Sequence, residues 1–182
     1  MNYGNIIYCD VANGPGVRTS LFVSGCRHHC KECFNECTWD FNYGKEYDKY
    51  IEDKIIKSLD APFMNGITIL GGEPMEPENQ PMILNLLRRI KKEISIENSN
   101  VWLYTGCTLE SLFEIDSKYY VKGITEAFFK EKLIDVLVDG PFILDKKDIS
   151  LAFRGSSNQR IINVTKTVND HKICLVERYM EK

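Results

Sequence analysis

The sequence predicts an α/β protein built on a mainly parallel sheet, and three observations carry that expectation. Short apolar runs alternate with stretches of helical spacing. The apolar runs end in glycine turns, where strands feed into loops. A chain of 182 residues with 43% hydrophobic and 27% charged residues has ordinary globular composition and room for one domain.

The elements follow in order. Asp10-Val11-Ala12-Asn13-Gly14-Pro15-Gly16 is turn-rich. Arg18-Thr19-Ser20-Leu21-Phe22-Val23-Ser24 then reads as a strand that stops at Gly25. Tyr47, Tyr50, Ile51, Ile55 and Leu59 keep the spacing of an amphipathic helix, which Pro62 and Asn65-Gly66 end. Ile67-Thr68-Ile69-Leu70 is a buried-type strand running into Gly71-Gly72-Glu73-Pro74. Pro81 suits the first turn of a second helix, with Ile83, Leu86, Leu87, Ile90 and Ile94 on one face. Its basic group, Arg88, Arg89, Lys91 and Lys92, reads as the wet face.

Val101-Trp102-Leu103-Tyr104 is a strand ended by Thr105-Gly106, and Thr108 caps a helix running to Phe113. Phe128, Phe129 and Leu133 suggest a further helix. Asp135-Val136-Leu137-Val138 is a strand stopped by Asp139-Gly140-Pro141. Residues 145–159 read as a polar loop, and 159–164 and 172–176 as two last strands. Right-handed βαβ crossovers let such a sheet curl towards a barrel. Ligands then gather on the loops after the C-terminal strand ends.

Charge and hydropathy exclude several classes. Acids outnumber bases, 26 to 23, for a net charge of −3. That argues against broad nucleic-acid binding driven by phosphate attraction. No apolar run approaches the roughly 18 residues of a membrane helix, and no secretory signal opens the chain. The expected location is the cytoplasm.

Seven cysteines, an odd number, are the main chemical clue. In a reducing compartment, clustered cysteines read as metal ligands or catalytic groups rather than disulfides. Cys26, Cys30 and Cys33 have the spacing C-x3-C-x2-C and follow the first expected strand at once. Three thiolates on one tight loop suit zinc or an iron–sulfur cluster. A structural zinc closes its shell with four protein ligands; Cys37, His28 or His29 could supply the fourth. Three thiolates on a four-iron cubane instead leave one iron open to a substrate. Cys9, Cys107 and Cys174 read as small buried hydrophobes, His171 as exposed, and Trp39 as packing.

The C-x3-C-x2-C loop after one strand and the Gly71-Gly72-Glu73-Pro74 turn after the next resemble those of radical S-adenosylmethionine (SAM) enzymes. A narrower resemblance joins several segments. They are Asn13-Gly14-Pro15-Gly16-Val17-Arg18, Leu21-Phe22-Val23-Ser24-Gly25-Cys26, His28, Phe34-Asn35, Thr38-Trp39, Gly44, Tyr104-Thr105-Gly106, Asp135 to Gly140, and Arg154 to Gln159. Together they are similar to the activating components of anaerobic (class III) ribonucleotide reductases. The resemblance spans nearly the whole chain. It implies a single domain over residues 1–182, in which 160–182 is a C-terminal extension of unrecognised character.

The resemblance further implies an incomplete TIM-like barrel of the radical SAM type. Cys26, Cys30 and Cys33 would hold a [4Fe–4S] cluster and carry its catalysis, and SAM would chelate the open iron. Reductive cleavage would then give a radical that abstracts hydrogen from a glycine Cα of the reductase partner. A flavodoxin- or ferredoxin-type protein is the expected electron donor. Backbone from Glu32 through Cys33 to Phe34 would meet the adenine, with the Phe34 ring as an apolar face.

Gly71 and Gly72 would let the backbone approach the ligand. For Glu73 two readings stand together: an acceptor for the SAM ammonium, or a carboxylate tied to a neighbouring basic group and shaping the loop. Asn13-Gly14-Pro15-Gly16 lacks the spacing and lysine of a phosphate loop and is expected to pack near the cysteine loop. Arg154-Gly155-Ser156 would shape a partner groove. Two rival readings are a small-molecule radical SAM enzyme and a zinc- or cluster-binding module without catalysis.

Overall fold

The computed structural model describes residues 1–180. Its elements are β1 (Asn2–Asp10), β2 (Val17–Val23), β3 (Lys45–Glu46), α1 (Lys49–Leu59), β4 (Met64–Gly71), α2 (Gln80–Glu93), β5 (Asn100–Tyr104), α3 (Thr125–Lys130), β6 (Val136–Asp139), β7 (Arg160–Asn163) and α4 (Val164–Asp170). The strands form one seven-stranded sheet in the order β3-β1-β2-β4-β5-β6-β7. The inner pairings, β2 with β4, β4 with β5 and β5 with β6, are parallel. The outer ones are antiparallel, and the sheet is open, with β3 and β7 at its edges.

Parallel strands covered on both faces read as continuous apolar runs rather than as alternation, which is why β4, β5 and β6 were plain in the sequence. Their alternate side chains go to two separate clusters. Leu21, Ile67, Ile69, Val101, Leu103 and Leu137 pack in the main core with Ile55, Leu59, Ile83, Leu86, Leu87 and Phe128 from the helices. Trp102, Val136, Val138 and Ile161 face the other way, where Phe153, Val176, Tyr179 and Met180 cover them. Asp48 caps α1 by accepting from the Ile51 N–H.

Several expectations are corrected. β1 was not anticipated: Gly4 interrupts its pattern, its register shifts twice, and most of its residues are not buried, so period-two alternation is missing. Cys9 lies there, exposed and at φ 60°, and is not a buried hydrophobe, whereas Cys107 and Cys174 are buried. The segment 172–176 makes only an isolated bridge, Leu175 to Ile162, because β7 turns directly into α4 instead. The helix expected after Thr108 is a single 3-10 turn, Ser111–Phe113, with Thr108 Oγ1 accepting from the Ser111 N–H. The 160–163 part of the extension is the seventh strand. His171 is exposed at the end of α4, as expected.

The Asn13-Gly14-Pro15-Gly16 turn is not beside the cysteine loop. It precedes β2, whereas the cysteines follow it, so the two lie at opposite ends of the sheet. Gly14 and Gly16 both have positive φ, and a Cβ on Gly16 would sit 2.1 Å from Asn65 Oδ1. Asn65 Oδ1 in turn accepts from the Val17 N–H. The turn closes the starts of β2 and β4 around buried Arg18. Among the described residues no helix is long and apolar enough to cross a membrane.

Candidate cluster site

Parallel strand ends bring four loops to one rim, and backbone hydrogen bonds stitch them together. The Gly72 N–H donates to Val23 O at 2.7 Å, and the Glu73 N–H to Gly25 O at 2.8 Å, so the turn after β4 sits on the base of the cysteine loop after β2. The Thr105 N–H donates to Val138 O, and the Gly140 N–H to Cys107 O, joining the loops after β5 and β6. A cavity of about 160 Å³ lies between them. Cys26, Cys30, Cys33 and Phe34 line it, as do Gly71 and Gly72.

The glycines have a first duty to the protein. Gly71 has φ 109°, and a Cβ there would lie 2.7 Å from Val23 N. A Cβ on Gly72 would lie 2.6 Å from the backbone oxygen of Gly25. Close approach of two chain segments, not only of a ligand, demands them. Gly72→Ala is therefore expected to lower the stability of the metal-free chain by about 2 kcal/mol or more through backbone overpacking, read from its urea midpoint; an unchanged midpoint contradicts that packing.

The cysteine loop itself is tight. His29 and Glu32 both adopt left-handed backbone, at φ 49° and 56°, and the Cys33 N–H donates to Cys30 O. Cys26 is buried, and Cys30 and Cys33 are partly so. Burial pushes the Cys26 thiol up to about 12, with the nearby Glu73 charge acting in the same direction, and it also raises Cys30. A bound cation reverses that preference, because a coordinating thiol is held as thiolate. Three sulfur donors facing one small, glycine-walled cavity fit a thiolate-bound cluster.

The other possible ligands are outside the cavity or already held. Cys37 is exposed on the 3-10 turn Glu36–Trp39, outside the cavity, with Tyr43 as its neighbour. The His29 ring lies against Trp39 at 4.4 Å between centroids. His28 faces inward: its side chain is 17% exposed and its Nε2 is 2.8 Å from Glu73 Oε2. Phe34 lines the cavity and is 88% exposed.

Glu73 is 1% exposed and heavily engaged. Its Oε1 accepts from the Met75 N–H at 2.7 Å, and its Oε2 from the Gly106 N–H at 2.8 Å as well as from His28. Its neighbouring basic group is thus a histidine of the cysteine loop. Cys107 Sγ lies 3.7 Å from the same His28 nitrogen. The ligand atoms of His28, Glu73 and Cys107 all fall within 4.8 Å of one another. This is a second donor set, and hydrogen bonding already satisfies it.

Sequence reading missed the second tie between these loops. The Arg27 N–H donates to Glu76 Oε1 at 2.8 Å, and its guanidinium pairs with Glu76 and Glu78, each at 2.5 Å. Asn79 Nδ2 donates to both Ser24 O and Glu73 O. The only available signal was a run of acids soon after the Gly-Gly-Glu-Pro turn, with an arginine inside the cysteine loop. Arg154 turns inward, donating to Gln159 O and Met180 O, and so shapes its own loop.

Comparison with known proteins identifies a family. Residues 12–162 match the family model described as a 4Fe-4S single cluster domain. The chain is 42% identical over 161 residues to the anaerobic ribonucleoside-triphosphate reductase-activating protein of Escherichia coli (strain K12), covering 87% of this chain and 96% of the relative. It is 41% identical to the protein of that name from Vibrio cholerae, over 91% of this chain and 99% of the relative. It is 33% identical to the one from Enterobacteria phage T4, over 94% and 99%.

Proposed function

The chain belongs to the family of anaerobic ribonucleoside-triphosphate reductase-activating proteins, and from that membership we propose that it is a radical SAM activase. It cleaves SAM reductively and leaves a glycyl radical on the anaerobic ribonucleotide reductase named by its relatives. Cys26, Cys30 and Cys33 are the residues that would hold the cluster. When bound, a [4Fe–4S] cluster with one iron free of protein ligands supplies the electron that splits SAM into methionine and a 5′-deoxyadenosyl radical, the species that takes hydrogen from the reductase glycine.

One observation carries the reading. The three cysteines line a single cavity with Gly71 and Gly72, while Cys37 stands outside it, His29 lies against Trp39, and His28, which also lines the cavity, has its Nε2 held by Glu73. That arrangement favours three sulfur ligands over four, and an open iron over a closed zinc.

The remaining roles follow from what each group has free. Glu73 spends its oxygens on Met75, Gly106 and His28, so its part is to hold the turn. The strand-end carbonyls at Gly71 and Gly72 are the acceptors we assign to the SAM ammonium. Backbone from Glu32 to Phe34 would meet the adenine, with the exposed Phe34 ring offering an apolar face. The open sheet, read as a partial barrel of the radical SAM type in one domain, leaves its side free for a protein loop. The location is the cytoplasm, and the electron donor a flavodoxin or ferredoxin.

Anaerobically reconstituted chain mixed with the reductase, SAM and reductant is expected to give a glycyl doublet by electron paramagnetic resonance (EPR). SAM turnover without the doublet points instead to a small-molecule substrate. Stoichiometric zinc without iron uptake points to a binding module.

A further inference from the structure

We infer that His28 is a positioning residue, a strut that sets the distance between the cysteine loop and the Gly-Gly-Glu-Pro turn and so controls how tightly SAM is held. The inference rests on the proposed SAM chemistry, and it concerns a residue whose side chain neither binds the cluster nor touches SAM in that reading. The ring belongs to the cysteine loop but contacts three other segments. Its Nε2–H donates to Glu73 Oε2 at 2.8 Å, after β4. Because a carboxylate can only accept, this assigns a proton to Nε2, and Nδ1 lies 3.5 Å from the Tyr119 hydroxyl. The two rings stack at 5.0 Å with 20° between their planes. On the β5 side the ring fills the space that a side chain on residue 106 would need, since a Cβ on Gly106 would lie 2.7 Å from His28 Cδ2.

The strut has a second consequence. Glu73 Oε2 takes both the His28 and the Gly106 N–H, so the three loops share one buried carboxylate. Without the imidazole, that carboxylate keeps only the Met75 and Gly106 backbone donors. A buried carboxylate short of donors draws in water or turns, and the β4 turn moves relative to the sulfur donors. SAM bridges those two anchors in the proposed reading, so a displacement of either is read as weaker SAM binding with the cluster intact.

Three variants test this: His28→Ala, His28→Gln and Gly106→Ala. Each is reconstituted with iron, and the reduced protein is titrated with SAM while the EPR signal is followed. Amide exchange at Gly106 and Met75 is measured on the same full-length chains. His28→Ala is expected to keep the wild-type iron content. Its SAM midpoint should rise about tenfold, a typical cost of removing an orienting partner, and Gly106 should exchange faster. His28→Gln, whose amide N–H can reach Glu73, should recover most of the midpoint. Gly106→Ala, by displacing the ring, should resemble His28→Ala.

An unchanged SAM midpoint in His28→Ala overturns the strut. So does loss of iron in both His28 variants, which would make the residue a ligand or a general support of the fold. If the wild-type chain takes up iron but its signal does not respond to SAM, the proposed function fails instead. The exchange comparison still decides whether His28 holds the loops together.

Discussion

Alanine at Cys26, Cys30 or Cys33, one at a time, is expected to drop reconstituted iron from about four per chain to well below one and to abolish SAM cleavage. Cys37→Ala is expected to keep both. The three sulfurs converge on one cavity, and the other loop candidates are not free to replace a missing one: His28 is held by Glu73, His29 lies on Trp39, and Cys37 is exposed outside the cavity. Two thiolates leave two corners of a cubane without protein ligands, which is a different and labile species. Iron analysis together with EPR of the reduced protein reads the result directly. A cluster lost in Cys37→Ala, or kept in any of the other three, contradicts the ligand assignment.

Arg18→Ala is expected to cost about 3–5 kcal/mol of stability, the range seen when a buried polar network loses its centre. Arg18 is 1% exposed. Its Nε donates to Thr68 Oγ1 at 2.8 Å, its Nη2 to Ile67 O at 2.7 Å and Asn100 O at 2.8 Å, and its Nη1 to Asn100 Oδ1 and Pro15 O. The guanidinium also lies 5.7 Å from the centroid of the Trp102 ring. Burial lowers its pKa only to about 10, so it remains a cation at neutral pH.

Removing Arg18 takes a donor from Ile67 O in β4 and from Asn100 O at the start of β5 in one step. Arg18→Met fills the volume but does not replace the lost donors, so it should recover only part of the loss. Denaturant midpoints of the metal-free chain, at constant slope, measure both. A loss under about 1 kcal/mol for the alanine variant would mean that the network contributes little, against its geometry.

The strength of the sequence reading varied with the kind of information each segment held. β2, β4, β5, β6 and helices α1 and α2 were legible because apolar period and glycine punctuation are local properties of the chain. The order in which cysteine loop, Gly-Gly-Glu-Pro turn, Thr105-Gly106 and Asp139-Gly140 follow strands was enough to gather them at one rim. β1 was hidden by its bulges and its mostly unburied side chains, and α4 by a segment short and polar enough to read as strand or loop. The turn from Asn13 to Gly16 was assigned to the wrong end of the sheet, because adjacency along the chain says little about proximity across a strand of seven residues.

What the chain's order of residues determined alone was the donor chemistry, three clustered thiols between strands, and the α/β alternation that holds them. Tertiary structure decided which groups remain free to act. It occupied Glu73 with His28 and two backbone N–H groups, set Cys37 outside the cavity, and turned the site glycines towards neighbouring backbone. The physical reason is that a residue's identity states which bonds it can make. Which partners reach a buried polar atom first depends on segments 33 to 79 positions apart in the chain, as with Gly106 on Glu73 and Cys107 beside His28.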